Sequence, residues 1–335
     1  MCQVIKSVCL STICALAAVA TAAPPSLNDA NSAPPCDPDS GFYLKFTGAA
    51  MLPSETGLGS FTDSWQYADP DGGVTALSKP SKASYKFAAS GLAGYNVPSS
   101  ATFIEAEYFY LSNTQHNYND TSDNPLSFGS SFFNVAFPLA PGAAFVSDSY
   151  LKYKVNQVDV RAGYNFVSSK KNFEVFPSAG VRWSDLKHSL TFLVGNVKTS
   201  YWGVGPTFAV DALYKIYKGF KFSTHFDANL LIGNVEASSL LNFGALLRYK
   251  SPSTSRIVSA FGAKLGLSYG YVFSNQSSLQ IEAGYQAATY IGAFDIITAV
   301  TPTSFPAPAN IQRILSINTD NFSFAGPYGS IAFLF

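Results

Sequence analysis

NFSFAGPYGSIAFLF, residues 321–335, is the stretch on which the fold turns. Ile331, Phe333 and Phe335 share one face of a strand by its two-residue period, and no charge follows Asp320. The outer face of such a strand is at ease only in lipid or in a packed core. A strand that stops on an aromatic residue is expected to pair with the first strand and close a transmembrane barrel, because an open sheet edge cannot exist in hydrocarbon. A buried terminal strand of a soluble β-protein is the other reading of this segment, and the rest of the chain separates the two.

Upstream, the same alternation recurs over lengths that cross a bilayer as tilted strands. Ile257, Ser259, Phe261, Ala263, Leu265, Leu267, Tyr269, Tyr271 and Phe273 alternate with residues that include Lys264, Gly266 and Ser268. That run is too long for an ordinary globular strand. Leu279 to Ala287 opposes Gln280, Glu282 and Gln286, and Phe220 to Ile232 opposes Lys221, His225 and Asp227. Val204 to Ile216 opposes Asp211, Phe173 to Trp183 opposes Glu174 and Arg182, and Val158 to Phe166 opposes Asp159 and Arg161. Ile104 to Tyr110 opposes Glu105 and Glu107, and further strands are expected near residues 85–95 and 42–52.

The links alternate in length. Short ones fall near 97–101, 168–171, 217–219 and 274–277, and long ones near 53–83, 113–147, 237–254 and 292–319, with a middling loop at 186–199. The expected fold is therefore all-β: a transmembrane antiparallel up-and-down barrel over residues 41–335. About ten strands are expected, within a range of about 8–14, with short periplasmic turns and long extracellular loops. Gly163, Gly180, Gly205, Gly266 and Gly284 fall on its inner side, where a missing side chain relieves crowding in a tightly curled sheet.

Residues 1–22 have the form of a cleaved signal peptide. Lys6 precedes an apolar run too short to span a membrane, and Ala20-Thr21-Ala22 offers the small residues that cleavage requires. Residues 23–40 would then be an N-terminal periplasmic segment. Cys2, Cys9 and Cys14 leave with the signal, so Cys36 has no partner for an internal disulfide; it is either a free thiol or an intermolecular bridge. Charged residues make up 13% and aromatics 15%, yet mean hydropathy is only +0.12, which excludes a helical inner-membrane protein. Lys6 is the one charge of residues 1–22, so the 21 Lys and Arg fall to 20 against 21 Asp and Glu, a balance that suggests no nucleic acid.

The runs VDVRAGYNF (158–166), FPSAGVRW (176–183), WGVGPTFAVDALY (202–214), SLQIEAGYQAATY (278–290) and FAGPYGSIAFLF (324–335) resemble the Legionella-type major outer-membrane protein family. The resemblance covers most of the mature chain in order, through loose Gly, Pro and aromatic positions. It implies a pore-forming outer-membrane barrel of a Gram-negative bacterium at the cell surface, and it brings no catalytic residue.

The residues themselves offer no catalytic set, cofactor site or metal-ligand spacing. His225 and Asp227 share the inner face mid-barrel, without a second acidic pair, and read as a hydrogen-bonded lumen pair. His116 and His188 fall on the long-loop side, where solvent is expected. The candidates for function are the lumen charges Glu105, Glu107, Asp159, Arg161, Glu174, Arg182, Asp211, Lys221, His225, Asp227, Lys264 and Glu282, which either line a water path or pair across it. Ten strands enclose little more than an eight-stranded barrel, whose interior side chains fill. Lys152 and Lys154 have the opposite parity from Arg161, so they sit above the bilayer unless a bulge near Asn156 turns them inward. The expected activity is passive diffusion of small polar solutes or ions; a structural or adhesive barrel acting through its loops is the alternative. Expected partners are outer-membrane lipid, the barrel-assembly machinery, small solutes and a second copy of the chain in a homo-oligomer.

Overall fold

The computed structural model describes residues 41–335 apart from 56–61, 69–73, 81–83, 99, 122–126, 131–134, 139–144, 169–171, 193–194, 218, 243–245, 274–276 and 301–313. The expected signal peptide, the 23–40 segment and Cys36 lie outside the described residues.

Ten long strands form one closed antiparallel ring: β1 (Gly41–Glu55), β2 (Lys86–Asn96), β3 (Thr102–Thr121), β4 (Phe145–Tyr164), β5 (Phe173–Phe192), β6 (Gly195–Tyr217), β7 (Phe220–Asn242), β8 (Thr254–Val272), β9 (Ser278–Val300) and β10 (Ile314–Leu334). Each pairs with its neighbours in sequence, and β10 returns to β1. Leu334 faces Tyr43, Phe333 faces Leu44 and Ile331 faces Phe46, while the Phe335 amide donates to the Phe42 carbonyl at 3.0 Å. Ile331, Phe333 and Phe335 all point outward. The seam satisfies the last free row of backbone groups, as a chain crossing hydrocarbon must.

Curling ten strands this tightly brings neighbouring backbones together at glycines. A Cβ on Gly180 would sit 1.9 Å from the Val160 carbonyl oxygen, and one on Gly205 would sit 1.8 Å from that of Leu230. Both are among the inward glycines marked by sequence, and both are needed because the adjacent strand passes where a side chain would begin.

Strands β3 to β10 run for 19 to 23 residues, and the long-loop ends of all but β8 extend well past the expected limits. The middling loop expected at 186–199 is a correction: β5 continues to Phe192 and β6 starts at Gly195. Most of the long links at 113–147, 237–254 and 292–319 are likewise strand. Residues 62–68, 74–80, 127–130 and 135–138, from the β1–β2 and β3–β4 links, form a separate four-stranded sheet. At ~3.3 Å per residue and ~40° of tilt, strands of this length rise roughly 50–60 Å, about twice the ~25 Å lipid-facing band of such barrels.

The polarity of the two faces reverses along each strand. Near the short turns the outer face is apolar, with Val160, Trp183, Phe208, Phe226, Leu230, Ile232 and Leu265 exposed. From Phe173 to Trp183 this belt spans about 25 Å along the normal. Tyr164, Tyr214, Tyr269 and Tyr271 mark its lower edge, with Tyr108, Tyr110, Trp183 and Trp202 at its upper edge, as interfacial aromatics do. Above it the same outer parity carries Lys154, Asn156, Asp185, Lys187, Ser200, Asn234 and Glu236, while Leu151, Val155, Leu186, Leu190, Val197, Leu231 and Val235 turn inward and are buried. No register shift interrupts β4 between Lys152 and Arg161, so the two lysines stay on the outer face. Outside lipid the barrel must hide its apolar side chains as any water-soluble domain does.

Candidate functional site

The inward side chains near the short turns enclose a cavity of about 720 Å³ that reaches the short-turn rim at Asn96, Ser100–Phe103, Gly219, Ser278 and Leu334. Nine of the twelve charges singled out by sequence line it: Glu105, Glu107, Arg161, Glu174, Asp211, Lys221, His225, Lys264 and Glu282. Asp159, Arg182 and Asp227 lie deeper and form its roof.

Pairing across the lumen organises these charges. Arg161 Nη2 reaches Glu105 Oε1 at 2.7 Å and Glu107 Oε2 at 3.6 Å, and Lys264 Nζ lies 3.6 Å from Glu107 Oε1. The Tyr43 hydroxyl donates to Glu105 at 3.1 Å. Glu282 accepts from Lys45 (2.7 Å), Ser223 (2.7 Å) and Tyr328 (2.6 Å). Lys215 pairs with Glu174 at 2.6 Å. His225 holds carboxylates on both ring nitrogens: Asp211 at 2.7 Å from Nδ1 and Asp227 at 3.2 Å from Nε2.

In the roof, Arg182 binds Asp159 through Nε (2.5 Å) and Nη2 (2.9 Å), and Asp227 through Nη1 (2.8 Å). Gln157 and Asn229 donate to the same carboxylates at 2.7 and 2.6 Å, and Tyr290 in turn donates to Gln157 at 2.6 Å. A bidentate guanidinium with further donors is the arrangement that compensates buried charge best. A void of about 50 Å³ continues past Arg182 and Glu107 as far as Phe109 and Phe324.

Above the roof the interior is an apolar core. Met51, Leu111, Leu186, Leu190, Tyr201, Leu231, Val235, Tyr290, Phe294 and Phe322 are buried there. A bulge in β9 sets Phe294 in place. Residues 291–293 face Asn321 alone, Gly292 takes φ +70°, and its amide donates to Asn321 Oδ1 at 2.8 Å. Phe294 then packs on Phe322 with centroids 5.5 Å apart. His188, expected in solvent, is buried here, stacked on Tyr153 at 5.3 Å. The correction has the same cause as the missed strand ends, since inward parity above the belt means burial. His116 lies in β3, and its side chain is outside the described residues.

The interior thus joins a charged lower chamber to a largely apolar upper core inside one closed ring. A family described as the Legionella pneumophila major outer membrane protein precursor matches residues 45–335. The chain belongs to this family. It is an outer-membrane β-barrel, the class that the terminal strand and the five resembling runs imply. None of the curated proteins matches it. Among solved structures, the P. putida toluene transporter TodX superposes with a TM-score of 0.30 at 10% identity, over 88% of this chain and 90% of that one. The Ralstonia pickettii toluene transporter TbuX gives 0.30 at 11% identity over the same shares, and a Pseudomonas aeruginosa FadL homologue gives 0.29 at 8%, again over 88% and 90%.

Sequence reasoning missed Tyr43 and Lys45 in the chamber wall of this family member, and Tyr328, which donates to Glu282. Phe42, Leu44 and Phe46 point outward, so the parity of β1 could have placed Tyr43 and Lys45 inside. Tyr328 is three residues from Ile331 and so has the opposite parity from the outward aromatics.

Proposed function

We propose that this protein is a pore-forming outer-membrane barrel that passes small polar solutes or ions, opening only when its upper core yields. The observation that carries the reading is the charged 720 Å³ chamber open at the short-turn rim. A cavity dressed with paired charges is hydrated, and nothing in purely structural packing requires it. An apolar constriction above it is the arrangement that gates by excluding water. On this reading the short turns face the periplasm, residues 1–22 export the chain, and no catalytic group is involved. Five chamber carboxylates oppose Lys45, Arg161, Lys221 and Lys264, so selectivity between cations and anions should be weak.

In planar bilayers the purified protein should give brief, small conductance steps. Phe294→Ser with Phe322→Ser wets the constriction and should raise the open fraction by about tenfold or more. Silence from both proteins, each shown to be folded by heat-modifiable gel mobility, would remove the channel.

The alternative, a surface barrel that acts through its loops, is favoured by one observation: two separate links combine into the four-stranded sheet of residues 62–138. Deleting residues 122–144 separates the readings. Conductance should survive the deletion, whereas attachment to a host or envelope partner should not.

A further inference from the structure

Immediately above the apolar belt, the outer wall of β4, β5 and β6 carries lysines in adjoining rows. Lys154 on β4 stands directly opposite Lys187 on β5, and Ser200 on β6 follows Lys187. One row higher, Lys152 faces Ser189, Ser189 faces Lys198, Lys198 faces Ser238, and Ser238 faces Lys250. With strands ~4.8 Å apart and a two-residue step of ~6.7 Å, the Cα atoms of Lys152, Lys154, Lys187 and Lys198 fall within about 12 Å.

Two carboxylates lie nearby. Asp185 Oδ2 pairs with Lys187 at 2.8 Å, and Glu236 is 3.8 Å from Lys250. Five lysines against two acids leave a net positive patch. Like charges directly opposite on neighbouring strands are unfavourable; Asp185 offsets Lys187, while Lys154, with its Nζ 5.8 Å from the Tyr110 ring centroid, has no carboxylate partner among the described residues. The patch is also one-sided. At that height the outer faces of β8, β9, β10, β1 and β3 present Ser255, Ile291, Asn321, Leu52 and Ser112. General attraction to an anionic surface would not single out three adjacent strands.

Height identifies the occupant. Lys187 lies about 10 Å beyond Trp183, which ends the belt, and flexible lysine stems bend back toward the interface. The ammonium groups therefore stand where the headgroups of the long-loop leaflet begin. Serine hydroxyls between them add donors suited to phosphate oxygens and sugar hydroxyls.

We infer that this wall binds the phosphorylated headgroup of a lipid in the leaflet at the long-loop end, with Lys152, Lys154, Lys187 and Lys198 on its phosphate. The inference is independent of conduction.

The full chain, folded in neutral detergent, is titrated in mixed micelles with bis-phosphorylated lipid A, with the same lipid after dephosphorylation, and with inorganic phosphate. Saturable binding of the phosphorylated lipid is expected, at least about tenfold tighter than the dephosphorylated form. Changing the four lysines to glutamine should erase the difference, changing them to arginine should keep it, and the Lys154→Gln, Lys187→Gln pair should lose part. A folded four-glutamine protein that binds like the wild type overturns the site. So does displacement of the lipid by inorganic phosphate at equal concentration, which would mark a site for free anions.

Discussion

Replacing Arg182 with leucine should destabilise the barrel by about 3–5 kcal/mol, read as a lowered urea midpoint for the heat-modifiable band in detergent. Asp159 is 1% exposed and Asp227 5%, so neither carboxylate can turn to water once the guanidinium is gone. Gln157 would still donate to Asp159, and Asn229 and His225 would still hold Asp227, but none of them replaces the two-pronged guanidinium that spans both carboxylates. The triple change Arg182→Leu, Asp159→Asn, Asp227→Asn should recover most of the loss, because it removes the charges together with their partner. Equal losses in the single and triple variants would show that packing, and not uncompensated charge, sets the cost. As a contrast, removing Lys250 from its 3.8 Å exposed pair with Glu236 should change stability by only about 0–1 kcal/mol.

The lower half of this molecule was legible because one physical rule governs it. Lipid outside and water inside force alternation, and Phe220–Leu230 and Phe261–Tyr271 obey it residue by residue, as does Phe173–Trp183 apart from the inward Phe176. That rule located the ring closure at Ile331–Phe335 and the inward parity of all twelve charges. It failed above the belt, where both solvents change. Along β5, Trp183 faces lipid, but Asp185, Lys187 and Ser189 on the same parity face water, and Leu186 and Leu190 supply a core. A reading that equates apolar with lipid-facing sees the phase slip at Leu186 and ends the strand there. Holding parity fixed and letting the surroundings change would have carried β5 through to Phe192. The Arg182 bridge to both Asp159 and Asp227 was beyond sequence reach, since it joins β4, β5 and β7 across the lumen. Register and barrel width decide it, and neither is written in a local pattern.

The polarity reversal makes a sharper demand on β7, where four lysine substitutions should rank by height as well as by face. Phe226 lies outward near mid-belt, so Phe226→Lys puts a charge in hydrocarbon and should cost about 2–4 kcal/mol. Asn234 has the same outward parity two steps beyond Leu230, above the belt, and Asn234→Lys should change stability by less than about 0.5 kcal/mol. Leu231 and Val235 point inward and are fully buried in the upper core. Leu231→Lys and Val235→Lys should each cost several kcal/mol, about 3–5, and prevent the folded band from forming at moderate urea. A tube wet along its whole length predicts the opposite at these two positions, where an inward lysine would simply meet water. Urea titration of the four variants in one detergent distinguishes the cases. A well-tolerated Val235→Lys would mean that the upper core is hydrated, and the chamber would then be the mouth of a continuous pore with no seal above the Arg182 roof.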